Sequence, residues 1–141
     1  MDRKWKIGIG VGMGLTLTGT LFALNFLHTM TGAIASFPFP AGTGPGFVQI
    51  QQIILNPGDS TGWHHHDGPS WVILERGLGV VETEACGAPT PLQAGTAFAE
   101  PPNNVHKVDN LGPGEASIWW ATVYPQGSTP IVPDQDPICT P

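Results

Sequence analysis

The residues of this 141-residue chain best suited to chemistry are its histidines. His64, His65 and His66 are consecutive, at the end of Gly58-Asp-Ser-Thr-Gly-Trp-His-His-His, and His106 stands apart from them. In an extended strand successive side chains point to opposite faces, so His64 and His66 share a side and His65 takes the other. Two imidazoles on one side of a strand are a ready pair of metal ligands, and His106 is the remaining candidate for a third. Three neutral histidines suit Fe, Zn, Ni or Cu and leave positions for water or a substrate. The competing reading makes the same side chains the lining of a metal-free pocket. His65 is expected at the surface, and His28 at a membrane interface. Ser70, Glu82 and Glu84 are available polar groups without an assigned place, and no nucleophile–base pair or cofactor loop identifies a catalytic residue.

The elements that must hold these groups read as strands. Nineteen Gly and 15 Pro punctuate the chain while 11% of residues are charged, the composition of short strands separated by turns. Apolar, β-prone runs occupy Val48–Leu55, Trp71–Leu74, Gly79–Glu84, Thr96–Ala99, Val105–Val108 and Ala116–Tyr124. Asn56-Pro-Gly-Asp59 is a strong turn signal. No helical period occurs beyond the N-terminal segment, so the expectation is all-β, an antiparallel sandwich or jelly roll. Trp63, Trp71, Trp119 and Trp120 are expected to pack in it, with one of the adjacent pair Trp119/Trp120 facing outward. The tail from Pro125 carries five prolines and is expected to wrap the surface.

Two spaced motifs run through this region. Gly58, His64, His66, Ser70 and Gly77 follow the pattern Gly, five residues, H-x-H, three residues, a position usually occupied by Glu, six residues, Gly. Gly95, Pro101, Asn103, His106 and Asn110 follow Gly, five residues, P-x-G, two residues, His, three residues, Asn. In both respects the chain resembles the cupin family, and more narrowly its small exported bacterial single-domain members, over about Val48 to Tyr124. The resemblance implies a double-stranded β-helix, a jelly-roll barrel whose mouth holds the histidines. It departs from the family at two places. Asn103 replaces a glycine, a mild change because Asn tolerates the left-handed conformation. Ser70 replaces the glutamate that is usually the anionic ligand, which removes a unit of negative charge and disfavours hard ions such as Mn. Asp67 and Glu75 are the nearby carboxylates, and neither is a convincing substitute: Glu75 falls on the opposite face of a regular strand from Ser70.

The N-terminus divides the chain further. Residues 1–6 form a basic tail, and Ile7 to Leu27 then runs without a charge, long enough to span a bilayer as a helix. A basic N-terminal flank predicts that end in the cytoplasm and the rest outside. The expected organisation is a cytoplasmic tail (1–6), a transmembrane anchor or uncleaved signal segment (7–28), a Pro/Gly linker (29–47) and an extracytoplasmic domain (48–141). Ala33-Ile34-Ala35 offers an alternative, a signal-peptide cleavage site. Gly8, Gly10, Gly12 and Gly14 make overlapping small-x-x-x-small pairs that suit docking of a neighbouring helix. Outside the cytoplasm, Cys86 and Cys139 read as one disulfide.

Charge excludes one class of partner. Only Arg76 and Lys107 follow the basic tail, whereas ten of the 11 acidic residues lie after position 50. Such a domain cannot neutralise phosphates, so nucleic acid is not expected as a partner. Two functions remain. One is a metal-dependent enzyme or small-molecule binder, and the other is an accessory subunit of a respiratory or photosynthetic membrane complex, docked through its glycine-faced helix.

Overall fold

The computed structural model describes residues 25–139. Ten strands follow in order: β1 (Asn25–Phe39), β2 (Gly42–Leu55), β3 (His64–His65), β4 (Ser70–Arg76), β5 (Val80–Glu84), β6 (Thr90–Pro91), β7 (Ala97–Glu100), β8 (His106–Asn110), β9 (Ala116–Pro125) and β10 (Val132–Pro133). They form two five-stranded sheets, in the orders β1-β2-β9-β4-β7 and β10-β3-β8-β5-β6. All pairings between named strands are antiparallel.

The alternation of side chains creates the interior. On β9, Ala116, Ile118 and Trp120 are buried, and on β2 Ile53 and Leu55, on β4 Val72 and Leu74. With Val80 and Val108 from the second sheet they form one apolar cluster between the sheets. Trp120 is thus core, while Trp119 turns outward and stacks on His28. Trp71 is exposed on the same outer face, and Trp63 lies beneath the Lys107 ammonium.

The N-terminal region departs from its sequence reading. The expected linker at 29–47 is instead regular structure: most of β1, a two-residue turn at Pro40-Ala41, and the first part of β2. Residues 25–28 of the expected membrane segment also belong to β1, and its remainder, with Gly8, Gly10, Gly12 and Gly14, lies outside the described residues. No helix among the described residues is long and apolar enough to cross a membrane. The physical reason is position. As an edge strand β1 needs ladder hydrogen bonds on one side only, so a residue without an N–H, such as Pro38, is tolerated in it. Pro40 opens the turn, where its fixed φ is favoured. The register slips between Ile34 and Phe37, just ahead of Pro38. Ala33-Ile34-Ala35 lies inside this strand, with Ala33 and Ile34 paired to Phe47 and Gly46.

The tail wraps as expected but also contributes a strand. β10 pairs with β3, the Asp134 amide donates to the Trp63 carbonyl, and Cys139 is joined to Cys86 in a disulfide.

Candidate metal centre

The three histidines reach one point from two elements of the same sheet. His64 and His106 are directly paired across β3 and β8, which puts both rings on one face. His66, two residues on, returns to that face. The ring centroids of the three lie 4.4 to 5.2 Å apart. All three rings are buried. His65 projects the other way, as alternation requires, but it is not free at the surface. Its Nδ1 meets the Asp134 carboxylate at 2.6 Å and its Nε2 meets Asp67 at 3.4 Å, which ties the tail to β3.

Motif glycines and Asn103 shape the loops that carry these rings. Gly58 and Gly95 adopt φ of 86° and 82°, a region costly for any residue with a Cβ. Asn103 takes the left-handed conformation expected of it, φ 62°, and its amide donates to the His66 carbonyl. The second motif is thereby bonded to the first beside the site.

Each ring is held through the same atom. Nδ1 of His64 lies 2.8 Å from the Gly62 carbonyl, Nδ1 of His66 2.7 Å from that of Pro130, and Nδ1 of His106 2.8 Å from that of Asn104. A carbonyl only accepts, so each Nδ1 carries the proton and each neutral ring leaves Nε2 as a lone pair. Backbone contacts of this kind fix the tautomer and aim of metal-ligating histidines. The rings' ligand atoms lie within 4.8 Å of one another.

Glu100, at the end of β7, completes the arrangement and was not singled out in the sequence. Its side chain is 3% exposed, with Oε2 3.0 Å from His66 Nε2 and Oε1 3.1 Å from His106 Nε2. His66 Nε2, His106 Nε2 and Glu100 Oε2 are buried without a hydrogen-bond partner. Buried polar atoms are rarely left so. A shared divalent cation satisfies all three, so the donor set fits a metal ion. A signal for Glu100 does exist: on β7 it repeats the inward phase of Phe98, whereas Ala97 and Ala99 face out.

The other carboxylates fall elsewhere. Ser70 faces inward and donates to Thr122 Oγ1 at 2.8 Å. Glu75 lies on the opposite face, bonded to Ser117 and Gln52, and Asp67 accepts from Ser128. Glu84 accepts from Asn104 at the surface. Glu82 lies near Glu100 and His106. Burial, followed by the charge of Glu100, pushes its carboxyl up to about 7.

Burial, then the neighbouring His106, pulls His64 down to about 4, so it is neutral at pH 7. Burial opposes charge on His106, but the adjacent Glu100 carboxylate outweighs it and raises the ring above 6.5. Burial likewise works against the Glu100 carboxylate, and the adjacent His106 and His66 rings outweigh it, bringing it to about 2. Without metal, the His106 contribution to stability is full below pH 6.5 and is lost as pH rises through the raised folded value. The Glu100 contribution is full above its ordinary value of 4.5 and is lost as pH falls towards about 2. A metal ion at His106 Nε2 must displace that proton. Metal uptake near pH 6.5 is therefore expected to release protons into a weak buffer, and affinity to fall by roughly tenfold per pH unit on acidification for each proton displaced. Uptake with no proton release would contradict this.

Beside the histidines lies a narrow cavity of about 20 Å³, partly open to solvent. Its walls include Ile53, Val72, Val108, Ile118, Trp120 and Ile131. Trp120 also packs on the His66 ring, 5.1 Å between centroids.

Residues 51–122, just over half of the chain, match the family model described as the cupin domain. This chain belongs to the cupin family. Solved cupin folds resemble it over most of the described region. A cupin-like protein from Thermotoga maritima is 25% identical with a TM-score of 0.53, covering 63% of this chain and 65% of that one. An uncharacterised conserved protein with a double-stranded β-helix domain from Klebsiella pneumoniae is 18% identical with a TM-score of 0.52, covering 77% and 87%. No curated protein matches in sequence. This cupin therefore shares with those structures the barrel, and its chemistry is read from its own site.

Proposed function

We propose that this cupin is a membrane-anchored extracytoplasmic protein that holds one divalent metal ion on His64, His66 and His106 and binds or converts a small molecule in its barrel. The observation that carries the reading is the common fixing of the three rings: three backbone carbonyls take the three Nδ1 protons and leave three Nε2 lone pairs converging. A metal-free ligand pocket has no need of that uniform tautomer. Bound there, Fe, Zn, Ni or Cu would supply Lewis acidity or an open coordination position. The protein's own part is to orient the rings, keep water from their far sides and offer an apolar wall to the ligand. The Cys86–Cys139 disulfide supports a site outside the cytoplasm. The charge-free run from Ile7 supports the anchor.

Elemental analysis of the full chain, purified without a histidine tag, tests this. The expected result is close to one metal per chain in the wild type and none in His64→Ala/His106→Ala. A folded wild type that takes up no divalent metal would retire the reading.

A second reading, an accessory subunit of a respiratory or photosynthetic membrane complex, rests on a different observation. Met30, Ile50, Ala121 and Trp71 are successive cross-strand partners on the outer face of one sheet, and Met30, Ile50 and Trp71 are exposed. Co-purification with a defined complex after mild detergent extraction supports it, and a monodisperse free protein counts against it.

A further inference from the structure

Resting on the metal-binding reading above, we infer that Glu100 is the fourth protein ligand, a carboxylate relocated across the sheet from β4 to β7. The family's first motif puts a glutamate at the position of Ser70. That serine is fully buried and directed to Thr122, with no contact to the histidines among its hydrogen bonds. Ser70 and Glu100 are direct cross-strand partners. Side chains so paired leave the same face of the sheet with Cβ atoms about 5 Å apart, so a glutamate at either position can reach one shared point.

The contacts of Glu100 are those of a ligand. Its two oxygens divide between two rings, one to His66 Nε2 at 3.0 Å and one to His106 Nε2 at 3.1 Å. Both rings donate their Nδ1 protons elsewhere, to Pro130 and Asn104. In the neutral rings, lone pairs therefore face lone pairs across about 3 Å. A glutamate serving structure alone would have been placed against donors, and Glu100 Oε2 has none. An ion between these atoms converts each repulsive contact into a shared ligation. The resulting set, three imidazoles and one carboxylate, carries a negative charge that three histidines lack. It extends the centre towards ions that favour oxygen, such as Mn²⁺ and Fe²⁺.

Titration of the untagged full chain with Co²⁺, followed by its visible absorption, tests the assignment. Glu100→Gln keeps the shape and removes the charge. It is expected to alter the Co²⁺ spectrum and weaken affinity by roughly 10- to 100-fold or more, with an unchanged circular dichroism spectrum. Glu100→Ser is expected to be as weak, and Ser70→Glu/Glu100→Ser to recover to within about tenfold of the wild type, because the carboxylate is restored from the paired position. A merely structural glutamate would not give that recovery. Equal affinity and spectrum in wild type and Glu100→Gln, or a folded double variant without recovery, would overturn the assignment while leaving the three-histidine site standing. A wild type that binds no Co²⁺ would overturn both.

Discussion

Replacing Cys86 and Cys139 by serine is expected to lower the unfolding free energy by about 4 kcal/mol. The bond joins residues 53 apart in sequence, and on the chain-entropy model most of its effect lies in restricting the unfolded chain. The tail also makes native contacts of its own. They include the short β10–β3 pairing, the Asp134 amide on Trp63, the His65–Asp134 hydrogen bond, Ser128 on Asp67 and the Pro130 carbonyl on His66. Against a total of roughly 5–15 kcal/mol for a domain of ordinary stability, such a loss is large. Urea denaturation with and without reductant measures it. A change below about 1 kcal/mol would mean that the unfolded chain is already compact or that the native bridge is strained. The same tail supplies the Pro130 carbonyl that holds His66 Nδ1. Reduction is thus also expected to weaken metal binding, because His66 loses the partner that sets its tautomer.

Asn110→Ala is expected to cost about 3 kcal/mol, by removal of a buried hub rather than of apolar packing. The Asn110 side chain is fully buried. Its amide donates to the Leu55 carbonyl at 2.9 Å and the Gly114 carbonyl at 2.8 Å, and its Oδ1 accepts from the Gly112 amide at 3.0 Å. It thereby joins the end of β2 to the turn between β8 and β9. Alanine leaves two acceptors and one donor without partners, at about 1 kcal/mol each. Asn110→Asp is expected to be no better, since a carboxylate cannot donate to the two carbonyls. Chemical denaturation checks both variants, and a loss under about 1 kcal/mol in Asn110→Ala would show that water replaces the side chain. The last residue of the second family motif is on this account a fastener of the barrel, remote from the chemistry.

Much of the barrel was legible because it is written in local pattern. Apolar, β-prone runs at Val48–Leu55 and Ala116–Tyr124 mark two inner strands, and the turn at Asn56–Asp59 ends the first where β2 ends. The alternation in Trp119-Trp120 foretells that one ring is core and the other outward. The H-x-H pair and the motif spacing bring His64, His66 and His106 together before any coordinates exist. Asn25–Phe39 reads differently in sequence and in structure, because a charge-poor run at an edge has the same composition whether it pairs in a sheet or crosses a lipid. Pro38, Pro40 and the glycines at 42, 44 and 46 look like linker only until the edge position and the turn that tolerate them are known.

By itself the sequence determined the all-β class, the two motifs, the three histidines and the acidic character of the domain. These depend on residue type and on spacings of a few positions, where strand geometry has only two faces to choose from. Only the tertiary structure decided that Pro130 and Asn104 orient His66 and His106, and that Glu100 stands across from Ser70. Both facts arise from register, the choice of which residue lies opposite which, between strands remote in sequence. Local pattern assigns a side chain to a face. The ladder of hydrogen bonds and the packing of the whole core select its partner.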